Sequence, residues 1–216
     1  MDGIKSLVES ANSILRTAQS ETFIRLIRLA LLYHSPDLSR AVQSRWLTRM
    51  HWHELPSAPA LVIADAYDLR HLLCHAYYVH LVNVAHLIVR TQPIDMYLSL
   101  SASQNLHVLC GYHSLRAVWR HLQTDPLEFR RAEGCSSQGH KRCLVAWATR
   151  WAVEIERPSA LPSVDVLRRL FLMEQHLEAD VLLRECMRPG CWRVALDAIA
   201  RKRAEISDNL HHHFDL

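Results

Sequence analysis

Glycine is scarce in this chain, with five in 216 residues. The scarcity already excludes much chemistry. There is no glycine-rich loop to cradle phosphates, no G-x-G-x-x-G turn for a dinucleotide and no G-x-S-x-G elbow for a nucleophilic serine. Long apolar runs are missing too. The most apolar stretch, Leu72 to Val89, is interrupted by His75, His80, Asn83 and His86, which makes it too polar for a membrane span. The first residues, MDGIKSLVES, lack the charged start, apolar run and small-residue cleavage site of a secretory leader. An intracellular protein of the cytoplasm or nucleus is the expectation, with no membrane partner. Basic residues fall in scattered doublets such as Arg130-Arg131 and Arg168-Arg169, and the formal charge is only +3. A nucleic-acid protein concentrates its basic residues in a stripe, so nucleic acid is not an expected partner. No useful stretch alternates apolar and polar residues as a half-buried strand does.

What remains is helical. Hydrophobic residues make up 50% of the chain and charged ones 22%, a globular balance with room for a large core. The 3.6-residue period recurs almost throughout. In IKSLVESANSIL it aligns Ile4, Leu7, Val8, Ile14 and Leu15. In ETFIRLIRLALLY it aligns Phe23, Ile27, Ala30 and Leu31. Ser35 followed by Pro36 is a start signal for a third helix that buries Leu38, Val42 and Trp46. A break at LPSAP, residues 55 to 59, precedes ALVIADAY and then a long helix over about Leu69 to Val89. After a loop at RTQPIDMYLSLSAS, Ser103 is the candidate cap of the next helix. Residues 124 to 140 read as a polar loop. CLVAWATRWAVEIE, residues 164 to 186 and residues 191 to 214 read as three further helices. The expectation is an all-α array of eight or nine helices with a soft division near residues 91 to 103.

Six cysteines are present, and four fall in two groups, GCSSQGHKRC (Cys135, Cys143) and ECMRPGC (Cys186, Cys191). Cys143 would open a helix of about 21 Å, and the next helix, about 31 Å long, would return antiparallel and end at Cys186. Cys191 would open the last helix. The four thiols then gather at one end of a three-helix unit, with the polar loop covering the mismatch in length. Four thiolates in a tetrahedron suit a closed, structural zinc. His140 is available to replace one cysteine. Neither spacing is the tight knuckle of zinc fingers, and disulfides or ordinary free thiols are the alternatives. Cys74 and Cys110 lie among apolar neighbours and read as small buried hydrophobes.

Other polar groups have plainer readings. His71 and His75 stand one helical turn apart and could share a metal, yet the His-Glu-x-x-His pattern of zinc proteases is absent. The histidines of HWH (51 to 53) and HHH (211 to 213) read as solvent-facing helix ends. Asp65 and Asp68 read as caps or exposed acids. The tryptophans at 46, 119, 147, 151 and 192 sit at helical spacing and read as core.

The order of segments resembles the region that follows the BTB fold in BTB/POZ-domain proteins of mushroom-type fungi. FIRLIRLALLYHSPDLSRAVQSRWL, ALVIADAYDLRHLLCHAYYVH, NLHVLCGYHSLRAVW with Gly111, the GCSSQGHKRC region and the LLREC…CWRVALDAIARKRAEISDNLHHHFDL ending follow that order across residues 20 to 216. The resemblance implies a BACK-like helical region over residues 1 to 90, after a missing or truncated BTB fold, and a C-terminal helical unit over 104 to 216. It implies a non-enzymatic scaffold or adaptor that binds another protein. A structural zinc at Cys135, Cys143, Cys186 and Cys191 would stabilise the C-terminal unit. The rival from another class is a zinc-containing nucleic-acid binder that uses Lys141, Arg142, Arg188, Arg193, Lys202 and Arg203. An enzyme with a metal on His71 and His75 is a third reading.

Overall fold

The computed structural model describes residues 17–90 and 100–216, with side chains for all of these except 86–90. Among the described residues there are ten helices and no strand. The all-α expectation is met. The expected helix over IKSLVESANSIL and most of the expected loop after Arg90 lie outside the described residues.

The N-terminal helices form where the apolar period said they would. Helix α1 (Ser20–Leu32) buries Phe23, Ile27 and Ala30, and α2 (Pro36–His51) buries Val42, Trp46 and Met50. Both sets repeat every third or fourth residue and so line one stripe. Phe23 stacks on Trp46 with ring centroids 5.2 Å apart. Helix α3 (Ala58–Ala66) is short and apolar, and α4 (Arg70–Arg90) runs through the centre. It packs against α2, α3, α5 (Ala102–Thr124) and the terminal turn α10 (Leu210–His213). The cap of α5 is Ser101, not Ser103. Ser101 Oγ accepts from Gln104 N, and the Gln104 side chain returns the bond to Ser101 N, closing a capping box.

The C-terminal helices differ from expectation in two places that matter. The helix expected from Cys143 begins six residues earlier, as α6 (Ser137–Ile155). The helix expected over 164 to 186 breaks at Asp180 into α7 (Val166–Ala179) and α8 (Val181–Cys186). Asp180 takes Leu183 N on one oxygen and the Arg150 guanidinium of α6 on the other, at 3.0 and 2.5 Å. A carboxylate used as both cap and ion-pair partner ends one helix and starts another. Helix α9 (Pro189–Asp208) follows, with Pro189 in its first turn.

Trp147 and Trp151 anchor α6. Their indole N–H groups donate to Leu127 O and Leu122 O at 2.9 and 2.8 Å, where α5 ends and the next loop begins. The halves of the chain share one core. Tyr78 of α4 donates to Asp165 at 2.7 Å and accepts from Leu167 N at the start of α7. The Phe214 ring stacks on Tyr77 of α4, with centroids 5.5 Å apart.

Candidate metal centre

Three segments meet at the start of α6. The first is the loop 125–136, which carries Cys135. It turns on Gly134, whose φ of +74° is the left-handed region glycine enters freely, and Cys135 N donates to Ala132 O. Ser136 then caps α6 by accepting from Gly139 N at 3.0 Å. The second segment is the first two turns of α6, which carry His140 and Cys143. Three residues apart on a helix, they share a face. The third is the first turn of α9, which carries Cys191.

Close approach is built into the backbone here. A Cβ on Gly139 would stand 3.3 Å from Cys135 Sγ and 3.0 Å from Ser136 Oγ. A Cβ on Gly190 would stand 2.9 Å from Ala132 Cβ. Glycine at these two positions lets the loop lie flat against the starts of both helices. Three of the chain's five glycines thus border one corner.

The donor atoms converge in this corner. Cys135 Sγ, a ring nitrogen of His140 and Cys191 Sγ lie within 4.8 Å of one another. His140 Nδ1 is 3.6 Å from Cys191 Sγ. The Phe129 ring packs edge-on against His140 with centroids 5.2 Å apart. Cys143 stands beside the group. Its sulfur accepts Arg188 N–H at 3.4 Å. The three sulfurs are shielded, with Cys135, Cys143 and Cys191 exposed by 7%, 2% and 0%. Burial first, then hydrogen bonds and charge from the Cys191 and Cys143 thiols, push the Cys135 thiol up to about 11. Crowded thiols oppose each other's ionisation. A bound cation reverses that balance, because it stabilises every thiolate that touches it.

The structure therefore brings together Cys135 and Cys191 of the four expected cysteines, places Cys143 alongside, and leaves Cys186 out. Cys186 is exposed at the end of α8. The break at Asp180 is the cause. Helix α7 ends where Asp180 meets Arg150, in the last third of α6, and a separate short helix covers the remaining distance. His140, the stand-in named from the sequence, is present in the corner instead. The sequence reading missed that His140 and Cys143 share a helical face, because it began the helix at Cys143. The spacing His140, Cys143, Trp147, Trp151 is the signal that would have shown it. All six cysteines are free thiols.

The other candidates are plainer. His71 and His75 lie with ring centroids 4.9 Å apart, and His75 is 5.7 Å from His51. Among the described residues they belong to no convergent group of three metal donors. His75 Nδ1 is buried without a hydrogen-bond partner. Of the terminal histidines, His213 does not face solvent as expected. Its Nδ1 lies 2.7 Å from Ser114 Oγ and helps fasten the C-terminus to α5. Asp65 accepts from the Gln104 side chain at 2.8 Å. Of the six basic residues of the nucleic-acid reading, Lys202 is paired with Glu205 and Arg203 with Glu174, each at 2.8 Å. No described helix is long and apolar enough to cross a membrane. Comparisons with protein-family models, curated proteins and solved structures give no match for this chain.

Proposed function

We propose that the chain is a non-enzymatic protein-interaction module, a scaffold or adaptor of the BTB-associated kind, whose C-terminal half is held in shape by a structural zinc. The observation that carries the interaction reading is the corner between α1 and α2. Leu32 and Tyr33 are exposed by 69% and 75%, and Leu29 is exposed beside them. An open groove of about 860 Å³ lies between the same two helices, lined by Ala30, Leu31, His34, Pro36, Arg40 and His71, with Leu29, Leu32 and Tyr33 outside its lining. Large side chains left in water next to a groove cost free energy that a partner's apolar surface would recover. The partner is another protein that offers apolar side chains to this corner.

The donor chemistry at Cys135, His140 and Cys191 supports the zinc. Sulfur and imidazole are the ligand types zinc prefers in structural sites, and the two sulfurs of this group are shielded from water. Such a metal would tie the loop before α6, α6 itself and α9 at a single point. Its role is shape, not reaction.

The interaction reading is tested by comparing proteins retained by the wild-type chain with those retained by the Leu32→Glu/Tyr33→Glu variant. Any candidate is then titrated as a purified protein. A partner that binds wild type and loses at least about tenfold in affinity to the double variant, roughly 1.4 kcal/mol, supports the proposal. Equal binding by both chains would remove this corner as the interaction surface.

A further inference from the structure

We infer that the metal is held by four donors, Cys135, His140 through Nδ1, Cys143 and Cys191, as a tetrahedral Cys3His zinc site that excludes Cys186. The inference rests on the metal reading above and names its ligands.

A structural zinc takes four protein ligands. Three donors already converge within 4.8 Å. In a zinc tetrahedron with metal–sulfur bonds of about 2.3 Å, neighbouring sulfurs stand about 3.7 Å apart, so no pair of these three donors need close by more than about 1 Å, and His140 Nδ1 and Cys191 Sγ already stand 3.6 Å apart. Side-chain rotation is enough for that, because the donors sit on one loop and two helix starts whose backbones are already in contact.

Cys143 is the fourth donor the geometry offers. It follows His140 by one helical turn on α6, and it is buried. Its sulfur already accepts Arg188 N–H at 3.4 Å. An N–H donor to sulfur is the kind of outer-shell hydrogen bond that orients metal ligands. Cys186 lacks all of these features. It is exposed, and the next residue, Met187, is buried in its place, with Met187 N bonded to Leu183 O at 3.0 Å. Turning Cys186 inward would unwind the end of α8 and drive Met187 into water.

His140 would coordinate through Nδ1, because Nδ1 is the atom that faces Cys191 Sγ. Three thiolates, one neutral imidazole and Zn2+ leave a net charge of −1. Cys191 lies in the first turn of α9 and His140 in the first turn of α6, where the positive ends of the two helix dipoles offset that charge. Binding releases the three thiol protons.

The test uses the full-length chain loaded with zinc or with cobalt(II). Wild type should carry about one zinc per chain. The cobalt form should show tetrahedral d–d bands and a sulfur-to-cobalt charge-transfer intensity that counts three thiolates. Cys143→Ser and His140→Ala should each weaken metal binding at least about tenfold, and Cys186→Ser should leave metal content and spectrum unchanged. The thiolate count on wild-type protein and the Cys186→Ser result do not depend on whether the other variants fold. A spectrum of two or four thiolates, or metal lost from Cys186→Ser and kept by Cys143→Ser, would overturn the ligand set. A stable wild-type protein that takes up neither metal would overturn the metal reading itself. The interaction proposal would then still stand or fall on Leu32 and Tyr33.

Discussion

Glycine is used in this chain for space more than for conformational freedom. Gly111 sits inside α5, where glycine ordinarily costs about 1 kcal/mol relative to alanine. A Cβ there would lie 2.0 Å from the Phe214 ring, which is fully buried against Tyr77. Gly111 is therefore the seat of the C-terminal aromatic. Gly111→Ala should destabilise the fold by about 1–3 kcal/mol, the usual cost of overpacking, despite the better helix propensity of alanine. Urea unfolding reads the sign directly. Combined with Phe214→Ala, which empties the seat, the alanine should add little further loss or a slight gain, a coupling only contacting residues show. If Gly111→Ala alone raised the urea midpoint, Phe214 would not be docked on α5.

With glycine spent on close approach, the helix ends must turn on other residues. Helices α1, α2 and α3 all end in the same pattern, a left-handed residue that brings two amides back onto the last carbonyls. His34, His53 and Asp68 hold φ of 48°, 57° and 50°. The returning bonds run from Ser35 N to Ala30 O, Glu54 N to Arg49 O and Leu69 N to Ala64 O, at 2.8, 2.9 and 2.8 Å. A non-glycine residue in this region costs about 1–2 kcal/mol. His34→Gly and His53→Gly should each stabilise by about 0.5–1 kcal/mol after the added freedom of the unfolded chain is counted. Asp68→Gly should gain less, because aspartate tolerates the region better. Alanine at the same positions should bring no such gain, and thermal melts of the glycine and alanine pairs separate the cases. At this scale the sequence was legible wherever apolar periodicity carried the helix, as with Val42 and Trp46 in α2 or the long run of α4, although Leu38, expected in the same buried stripe, is only half-buried. It was less legible where polar side chains set the ends. Ser136 starts α6 among polar residues, one turn ahead of the His140, Cys143, Trp147, Trp151 spacing, and Asp180 breaks a helix whose apolar pattern runs straight through. The Ser136 cap is local, three residues from Gly139, whereas the bond from Arg150 to Asp180 spans thirty residues and forms only in three dimensions. The candidate metal corner was half legible for the same reason. Cys135, Cys143, Cys191 and the availability of His140 could be read from the chain, while the loss of Cys186 follows from the break at Asp180.

Across the whole molecule, the central helix makes the fold sensitive to acid. Burial lowers His80 to about 4, and His80 Nδ1 faces Ser57 Oγ at 3.3 Å within the core. His75 is also lowered to about 4, first by burial and then by the charges of His51 and His71. Burial lowers His51 as well, against the pull of Asp165. His75 and His80 are neutral in the folded protein near pH 6, whereas the unfolded chain binds protons there with a histidine pKa of about 6.5. The unfolded state therefore holds more protons between about pH 6.5 and 4, and stability falls as pH drops through that window. His80 alone accounts for a loss on the order of 3 kcal/mol when fully titrated, and the partly exposed His75 for less. Because α4 touches α2, α3, α5 and α10, charging it loosens both halves of the shared core together. Urea midpoints measured from pH 7 to pH 4 should fall steeply below about pH 6 for wild type. They should fall less for His75→Gln/His80→Gln, which keeps the same Cys135, His140 and Cys191 corner and so the same acid lability of any bound metal. Parallel profiles for the two proteins would move the acid sensitivity away from α4 and onto the metal corner, where protonation of thiolates and imidazole would release the ion.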